Sequence, residues 1–151
     1  MRISRIVIQN FRSFKSLDIA IENSVTCVIG ENNTGKTALF KAIQICLDVN
    51  LPSVFRSLIR EDIHASLDIS HPNQVMIGVE LTGFEGIVNE EALVCQWKLE
   101  ADRARIFYRF RPRPSVRERL SLGEIIAGDL TLEDYTWELR GGGDAGSISL
   151  S

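Results

Sequence analysis

The fold of this chain is decided by the stretch Gly30-Glu31-Asn32-Asn33-Thr34-Gly35-Lys36-Thr37. It has the G-x-x-x-x-G-K-T spacing of a phosphate-binding loop, in which glycines allow a tight turn and backbone N–H groups point inward at a helix N-terminus. We expect Lys36 to reach the terminal phosphates as a point charge and the Thr37 hydroxyl to complete the coordination of Mg²⁺. The motif therefore predicts a site for a nucleoside triphosphate.

The residues on either side of the loop support this interpretation. Before it, residues 25–29 form an apolar, β-branched run that predicts a buried strand ending at Gly30. After it, apolar residues recur at the spacing of one helix face, namely Leu39, Ala42, Ile43, Cys46 and Leu47. Strand, loop and helix thus occur in the required order, and an unrelated glycine-rich turn is the less favoured alternative.

Length and composition indicate one globular domain. The chain has 151 residues, of which 44% are hydrophobic and 25% are charged. It has neither an apolar run long enough to cross a membrane nor a signal-peptide pattern, so we expect a cytoplasmic protein. Cys27, Cys46 and Cys95 are far apart in apolar segments and are expected to be buried free thiols. His64 and His71 are expected in loops or at the surface.

The net charge of −3 hides a strong segregation of charge along the chain. Basic residues exceed acidic ones within residues 1–60 and 98–119, whereas acidic residues dominate 61–97 and 120–151. A contact with nucleic acid should therefore involve the two basic blocks.

Several strands are predicted around the phosphate-loop unit. Residues 3–9 and 17–21 precede the loop, and residues 74–81 place four apolar side chains on one face. Residues 92–99 and 103–110 are predicted to pair as a hairpin, because that register sorts apolar from polar pairs. Short helices are predicted within 52–60 and 116–126, while 130–139 is ambiguous.

The expected fold class is α/β, a strand-rich lobe in which an antiparallel meander lies beside the phosphate-loop unit. We expect this lobe to cover residues 1–140 and a flexible glycine-rich tail to cover residues 141–151.

Arginines in the predicted hairpin carry a second hypothesis. They lie at even spacing, so an extended strand puts them on one face, interrupted only by Phe107. The candidates for DNA contact are Arg105, Arg109, Arg111 and Arg113, preceded by Arg103. A guanidinium row with one aromatic ring suits a DNA backbone or a single strand. A charged face that protects a sheet edge is the favoured alternative.

Two sequence blocks together resemble a known family. Residues 6–14, Ile-Val-Ile-Gln-Asn-Phe-Arg-Ser-Phe, are followed about 15 residues later by the phosphate loop. This arrangement resembles the N-terminus of RecF-like and SMC-like ABC ATPases, and most of all the OLD (overcoming lysogenization defect) family of ATP-dependent endonucleases. The resemblance implies a P-loop NTPase fold with ATP and Mg²⁺ as cofactors. It implies nucleotide contacts from Gly30, Glu31, Asn32, Asn33, Thr34, Gly35, Lys36, Thr37 and Ala38, with Arg12 and Ser13 nearby. For Arg12, a solvated surface charge is an equal alternative.

Parts that such an enzyme needs are missing from the sequence. We find no Walker B strand ending in Asp-Glu, no assignable Gln for sensing the γ-phosphate and no Toprim nuclease domain. Residues 120–124, Leu-Ser-Leu-Gly-Glu, match the ABC signature only weakly.

We therefore expect the N-terminal, ATP-binding lobe of an OLD-like endonuclease or of a RecF-like ATPase of DNA repair or anti-phage defence. It should hydrolyse little ATP itself, pair with a second ATPase protomer in the full-length protein, and contact DNA rather than a membrane. The alternative is a stand-alone, non-catalytic nucleotide-binding module that regulates a full-length ATPase. A kinase or small GTPase is less favoured.

Overall fold

An antiparallel sheet carries the fold in the computed structural model, which describes residues 1–22 and 35–142. Its strands are β1 (Arg2–Phe11), β2 (Phe14–Ala20), β3 (Val75–Thr82), β4 (Lys98–Glu100), β5 (Arg103–Pro112) and β6 (Tyr135–Gly141). The helices are α1 (Lys36–Leu47), α2 (Val88–Val94) and α3 (Pro114–Ser121). Short 3-10 turns cover Ser53–Arg56, Arg60–Asp62, Cys95–Trp97 and Leu132–Asp134.

The strands run in the order β2-β1-β3-β5, and β4 and β6 share the remaining side of β5. All of these pairs are antiparallel. A strand-rich α/β lobe was the predicted fold class, and the structure confirms it.

One face of the sheet forms the core. β3 supplies Val75, Ile77, Val79 and Leu81, and each of them lies opposite a buried residue of β5. α1 packs on this face through the side chains of Ala38, Leu39, Ala42, Ile45 and Cys46. The alternation predicted for residues 74–81 and the helix predicted after the phosphate loop are both confirmed. Within that helix Ile45, which the predicted face did not include, is buried, whereas Ile43 and Leu47 are only half-buried.

The hairpin predicted for residues 92–110 is mostly wrong. β4 has only three residues, and residues 88–97 form α2 and a 3-10 turn instead. The full length of β3, not residues 92–99, pairs with β5, from Val75↔Phe110 to Thr82↔Arg103. Alternation in β5 fixed which side chains face the core, but it could not select the partner strand. The β-branched β3 suits a central strand, whereas the Glu, Ala and Leu residues of α2 favour a helix.

Other local predictions were correct in kind and differed in extent. The helix expected within 52–60 is a 3-10 turn at Ser53–Arg56, and the one expected within 116–126 is α3. The ambiguous segment 130–139 forms a 3-10 turn and most of β6, which ends at Gly141. The first residue of the predicted tail thus belongs to the sheet, and residues 143–151 lie outside the described part of the chain.

The cysteine prediction holds for Cys46, which is buried, and is wrong for Cys95, which is exposed beside α2. Cys27 lies outside the described residues. His71 is exposed and His64 half-buried, both in the connection between α1 and β3 as expected. None of the helices in the described ranges is long and apolar enough to span a membrane.

Candidate nucleotide-binding site

The described part of the phosphate-loop motif begins at Gly35. The predicted strand at 25–29 and the loop residues Gly30, Glu31, Asn32, Asn33 and Thr34 lie outside the described residues. α1 starts at Lys36, so Lys36, Thr37 and Ala38 occupy the first turn of a 12-residue helix. The N–H groups of such a turn have no acceptors within the helix and carry the positive end of its dipole. No acidic residue lies in this turn, so the helix itself presents no carboxylate against an incoming anion.

Gly35 connects the motif to the turn that follows β1. Its φ of +93° lies in a region that side chains rarely adopt. A Cβ at this position would lie 3.0 Å from both Ser13 Oγ and Phe14 Cζ. Backbone conformation and limited space therefore both favour glycine here. The structure thus brings Ser13, predicted near the nucleotide, beside the last glycine of the motif.

The turn itself has an unusual backbone. Asn10 and Arg12 have φ values of 60° and 49°, and each such residue costs about 1–2 kcal/mol outside glycine. The segment around Asp62 holds this conformation in place. The Arg12 N–H donates to the Asp62 carbonyl at 2.8 Å, the His64 N–H donates to the Asn10 carbonyl at 2.9 Å, and Phe11 forms a bridge with Ile63.

The Arg12 side chain is paired with a carboxylate. Its Nε and Nη2 donate to Asp62 Oδ1 at 3.2 and 3.1 Å, and its guanidinium lies 5.5 Å from the Phe11 ring centroid. The second Asp62 oxygen accepts from the Ile59 N–H at 3.2 Å. The alternative of a merely solvated charge is therefore wrong for Arg12. Asp62 escaped the sequence analysis because 50 residues separate it from Arg12 and no motif marks it.

The other end of α1 is anchored by a buried arginine. Arg56 donates to the carbonyls of Ile45, Asp48 and Leu51 at 2.9, 2.7 and 3.3 Å. A cation at a helix C-terminus is favourable because the dipole is negative there. The Tyr108 hydroxyl on β5 donates to the Arg56 carbonyl. The phosphate-loop helix is thus tied to the sheet at the end opposite Lys36. Sequence reasoning missed this arginine, since an isolated Arg in a loop carries no pattern.

The candidate DNA-contacting arginines do not form one uniform row. β5 pairs with β3 on one side and β6 on the other, so the explanation as a charged sheet edge is wrong. Arg105 is only 5% exposed and binds Glu80, with Nε donating to Oε1 at 2.8 Å. Arg113 lies beyond the strand, is exposed and precedes α3.

The remaining two, Arg109 and Arg111, belong to what we call the arginine cluster. It consists of Arg109 and Arg111 on β5, Arg117 on α3, Arg140 on β6, and Glu138 among them. Glu138 lies 2.9 Å from Arg111 and 3.0 Å from Arg140. Burial lowers the pKa of Arg109 and of Arg117, and the like charge of Arg111 lowers both further. Four cations with one carboxylate leave this part of the surface positive.

Within residues 1–22 and 35–142, no group of three or more His, Cys, Asp or Glu side chains is placed to hold a metal ion. Mg²⁺ coordination by Thr37 stays a prediction.

The model of the AAA ATPase domain family matches residues 1–121. The chain belongs to this family. Relatives of this AAA ATPase domain include structural maintenance of chromosomes protein 3 of Arabidopsis thaliana, 35% identical over 79 residues, which are 50% of this chain and 6% of that protein. The DNA replication and repair protein RecF of Actinobacillus pleuropneumoniae (serotype 5b, strain L20) is 42% identical over 43 residues, 28% of this chain and 12% of RecF. RecF of Bacillus thuringiensis (strain Al Hakam) is 42% identical over 45 residues, 30% and 12% of the two chains.

The AAA ATPase domain described here is thus similar over part of its length to RecF and SMC proteins, and its matches span only a small part of these curated relatives. A solved structure from work on ATP-driven dimerization and DNA stimulated activation of SMC ATPases aligns with a TM-score of 0.49. Its sequence is 18% identical, and the alignment covers 94% of this chain and 71% of the other.

Proposed function

We propose that this AAA ATPase domain binds MgATP between the N-terminus of α1 and the turn at residues 10–14. The observation that carries the proposal is Gly35, which lies against Ser13 and Phe14 at the start of α1. Lys36 would contact the terminal phosphates, Thr37 would coordinate Mg²⁺, and Ala38 would contribute its backbone N–H. Asn32, Asn33, Thr34 and Gly35 would form the cradle, Gly30 and Glu31 would add nucleotide contacts, and Arg12 and Ser13 would lie nearby.

A titration with a fluorescent ATP analogue tests this proposal. With Mg²⁺ present, we expect Lys36→Ala to weaken binding by at least tenfold, because the variant loses the point charge at the phosphates. Lys41→Ala is the matched control, since Lys41 lies on the same helix and its Nζ is 5.5 Å from the Phe55 ring centroid. Equal affinity in the wild type and Lys36→Ala would overturn the proposal, and so would a strong preference for GTP.

For the full-length protein we propose an OLD-like, ATP-dependent DNA endonuclease in which two protomers sandwich ATP. This rests on the two N-terminal sequence blocks, residues 6–14 and the phosphate-loop motif at residues 30–37. The acid that ends the apolar run of β3, Glu80, is already engaged by Arg105, so it is a poor catalytic substitute. We expect this chain to hydrolyse little ATP by itself. Measurable ATP hydrolysis by the wild-type chain that is lost in Lys36→Ala would contradict this expectation. Walker B and Toprim sequence downstream of Ser151 in the reading frame would support the endonuclease. Their absence would favour a stand-alone regulatory module.

We further propose that the arginine cluster contacts the phosphate backbone of DNA. Of the arginines proposed from sequence, Arg105 is excluded because it binds Glu80. Arg117 and Arg140 are added because they lie in the arginine cluster, where Arg140 pairs with Glu138. Replacing Arg117 and Arg140 together by Gln should weaken DNA binding and lower the slope of log affinity against log salt. Arg119→Gln is the control, since Arg119 lies on the same helix and pairs with Glu124 at 3.4 Å. An unchanged slope in the double variant would refute this contact.

A further inference from the structure

Arg12 has unused hydrogen-bonding capacity beside the proposed nucleotide site. A guanidinium carries five N–H donors in a planar fork. Asp62 engages only one edge of it, because Nε and Nη2 both donate to the single oxygen Oδ1. Within residues 1–22 and 35–142, Nη1 of Arg12 has no hydrogen-bond partner, and 30% of the side chain is exposed. The opposite edge is therefore available to a second anion.

Asp62 is better fixed than the arginine it holds. Its Oδ2 accepts from the Ile59 N–H, its carbonyl accepts from the Arg12 N–H, and its side chain is only 18% exposed. The 3-10 turn Arg60–Asp62 and the bridge between Phe11 and Ile63 add further restraints. The carboxylate therefore acts as a fixed point that defines the plane and the direction of the Arg12 fork.

The Arg12–Asp62 pair lies close to the proposed phosphate site, so its role is not limited to stabilising the fold. Arg12 directly precedes Ser13, whose Oγ is in contact range of Gly35 at the start of α1. A guanidinium that is already oriented loses less conformational freedom when it binds a phosphate oxygen. An arginine held by one carboxylate can bridge to a second anion, whereas a lysine is a single point charge.

We propose that Asp62 is a positioning residue for ATP: it holds Arg12 by the Nε edge so that the Nη1 edge binds a phosphate of the nucleotide. This inference rests on the proposed MgATP site and deepens it. The carboxylate does not touch the nucleotide and acts only through Arg12.

The test is a double-mutant cycle on the affinity of the 151-residue chain for the fluorescent MgATP analogue. Arg12→Ala and Asp62→Ala should each weaken binding about tenfold, and the double variant should bind no more weakly than Arg12→Ala alone. Glu61→Ala is the matched control, since Glu61 is an exposed carboxylate in the same turn, and it should bind like the wild type. Additive losses would overturn the inference, because independent effects mean that Asp62 does not act through Arg12.

Arg12→Lys provides a second measurement that does not depend on losing the ion pair. Lysine keeps the charge and the attraction to Asp62 but cannot bridge two anions with separate edges of a fork. We expect its affinity for MgATP to fall about as far as that of Arg12→Ala, with a melting temperature close to the wild type. Wild-type affinity in Arg12→Lys would overturn the bridging role.

The same titration separates this inference from the proposed function. If the wild-type chain does not bind MgATP, or if Lys36→Ala has no effect, both fall together. If Lys36→Ala loses binding while Arg12→Lys does not, the MgATP site stands and the role of Asp62 is refuted.

Discussion

Gly35→Ala should destabilise the chain through two separable effects. The first is backbone strain, because φ is +93° and a residue with a Cβ in this region costs about 1–2 kcal/mol. The second is steric, because the new Cβ would lie 3.0 Å from Ser13 Oγ and Phe14 Cζ, closer than the ordinary separation of about 3.5–4.0 Å. Ser13 is exposed and can rotate, so the half-buried Phe14 ring sets this cost at about 1 kcal/mol. The expected total is about 2–3 kcal/mol.

Gly86→Ala isolates the first effect. Gly86 has a φ of +80° but no atom within 4 Å of an added Cβ, so this variant should lose about 1–2 kcal/mol from strain alone. Thermal unfolding can resolve the difference, since 1 kcal/mol shifts the melting temperature by about 2–4 °C in a chain of this size. Adding Phe14→Leu to Gly35→Ala should cost less than the sum of the two single changes, because the smaller side chain relieves the contact.

Equal melting temperatures for Gly35→Ala and Gly86→Ala would refute the reasoning. They would mean that the turn at residues 10–14 is not packed against the end of the phosphate loop, and the geometry behind the MgATP proposal would fail with it. Strictly additive effects of Gly35→Ala and Phe14→Leu would lead to the same conclusion.

Three further predictions concern groups outside the site. Arg105→Met should cost about 3 kcal/mol in urea unfolding, because buried Glu80 loses its hydrogen-bonded partner and keeps only Arg5, whose Nη1 lies 3.9 Å from Oε1; a loss below 1 kcal/mol would contradict this. Backbone N–H groups, chiefly that of Glu85, lower the pKa of Asp102. Ionised Asp102 therefore stabilises the folded chain above its ordinary pKa of 3.8, and this contribution disappears as the pH falls through the lower pKa of the folded state. The melting temperature of Asp102→Asn should accordingly fall less steeply with decreasing pH than that of the wild type. Burial raises the pKa of Cys46 to about 12, so peptide mapping after iodoacetamide at neutral pH should find Cys95 labelled and Cys46 labelled only in denaturant.

Part of the site could be derived from sequence because its chemistry is local. The spacing from Gly30 to Thr37 specifies a loop and a helix start within eight residues, and α1 begins at Lys36 as predicted. Alternation in β3 and β5 likewise identified the core-facing side chains, since a strand repeats every two residues.

Which strand pairs with β5 is not determined by local sequence, and for this reason the predicted hairpin was wrong. The apolar side chains of β5 fit residues 92–99 and β3 equally well by pattern, and the whole chain had to be packed before β3 became its partner. The same holds for the arginines of β5. Spacing put them on one face, but only the packed sheet separates Arg105, which is committed to Glu80, from Arg109 and Arg111 in a cluster with side chains from α3 and β6.

By itself, the sequence determined the phosphate-loop motif at residues 30–37 and the AAA ATPase family of this chain, because glycine, lysine and threonine at fixed spacing are a short-range requirement of phosphate binding. Only the tertiary structure decided what surrounds the loop. It brought Ser13 and Phe14 against Gly35, and it brought Asp62 to Arg12 across 50 residues of chain. Such contacts follow from how the sheet, α1 and the connection after α1 close around a common core, and no spacing along the sequence encodes them.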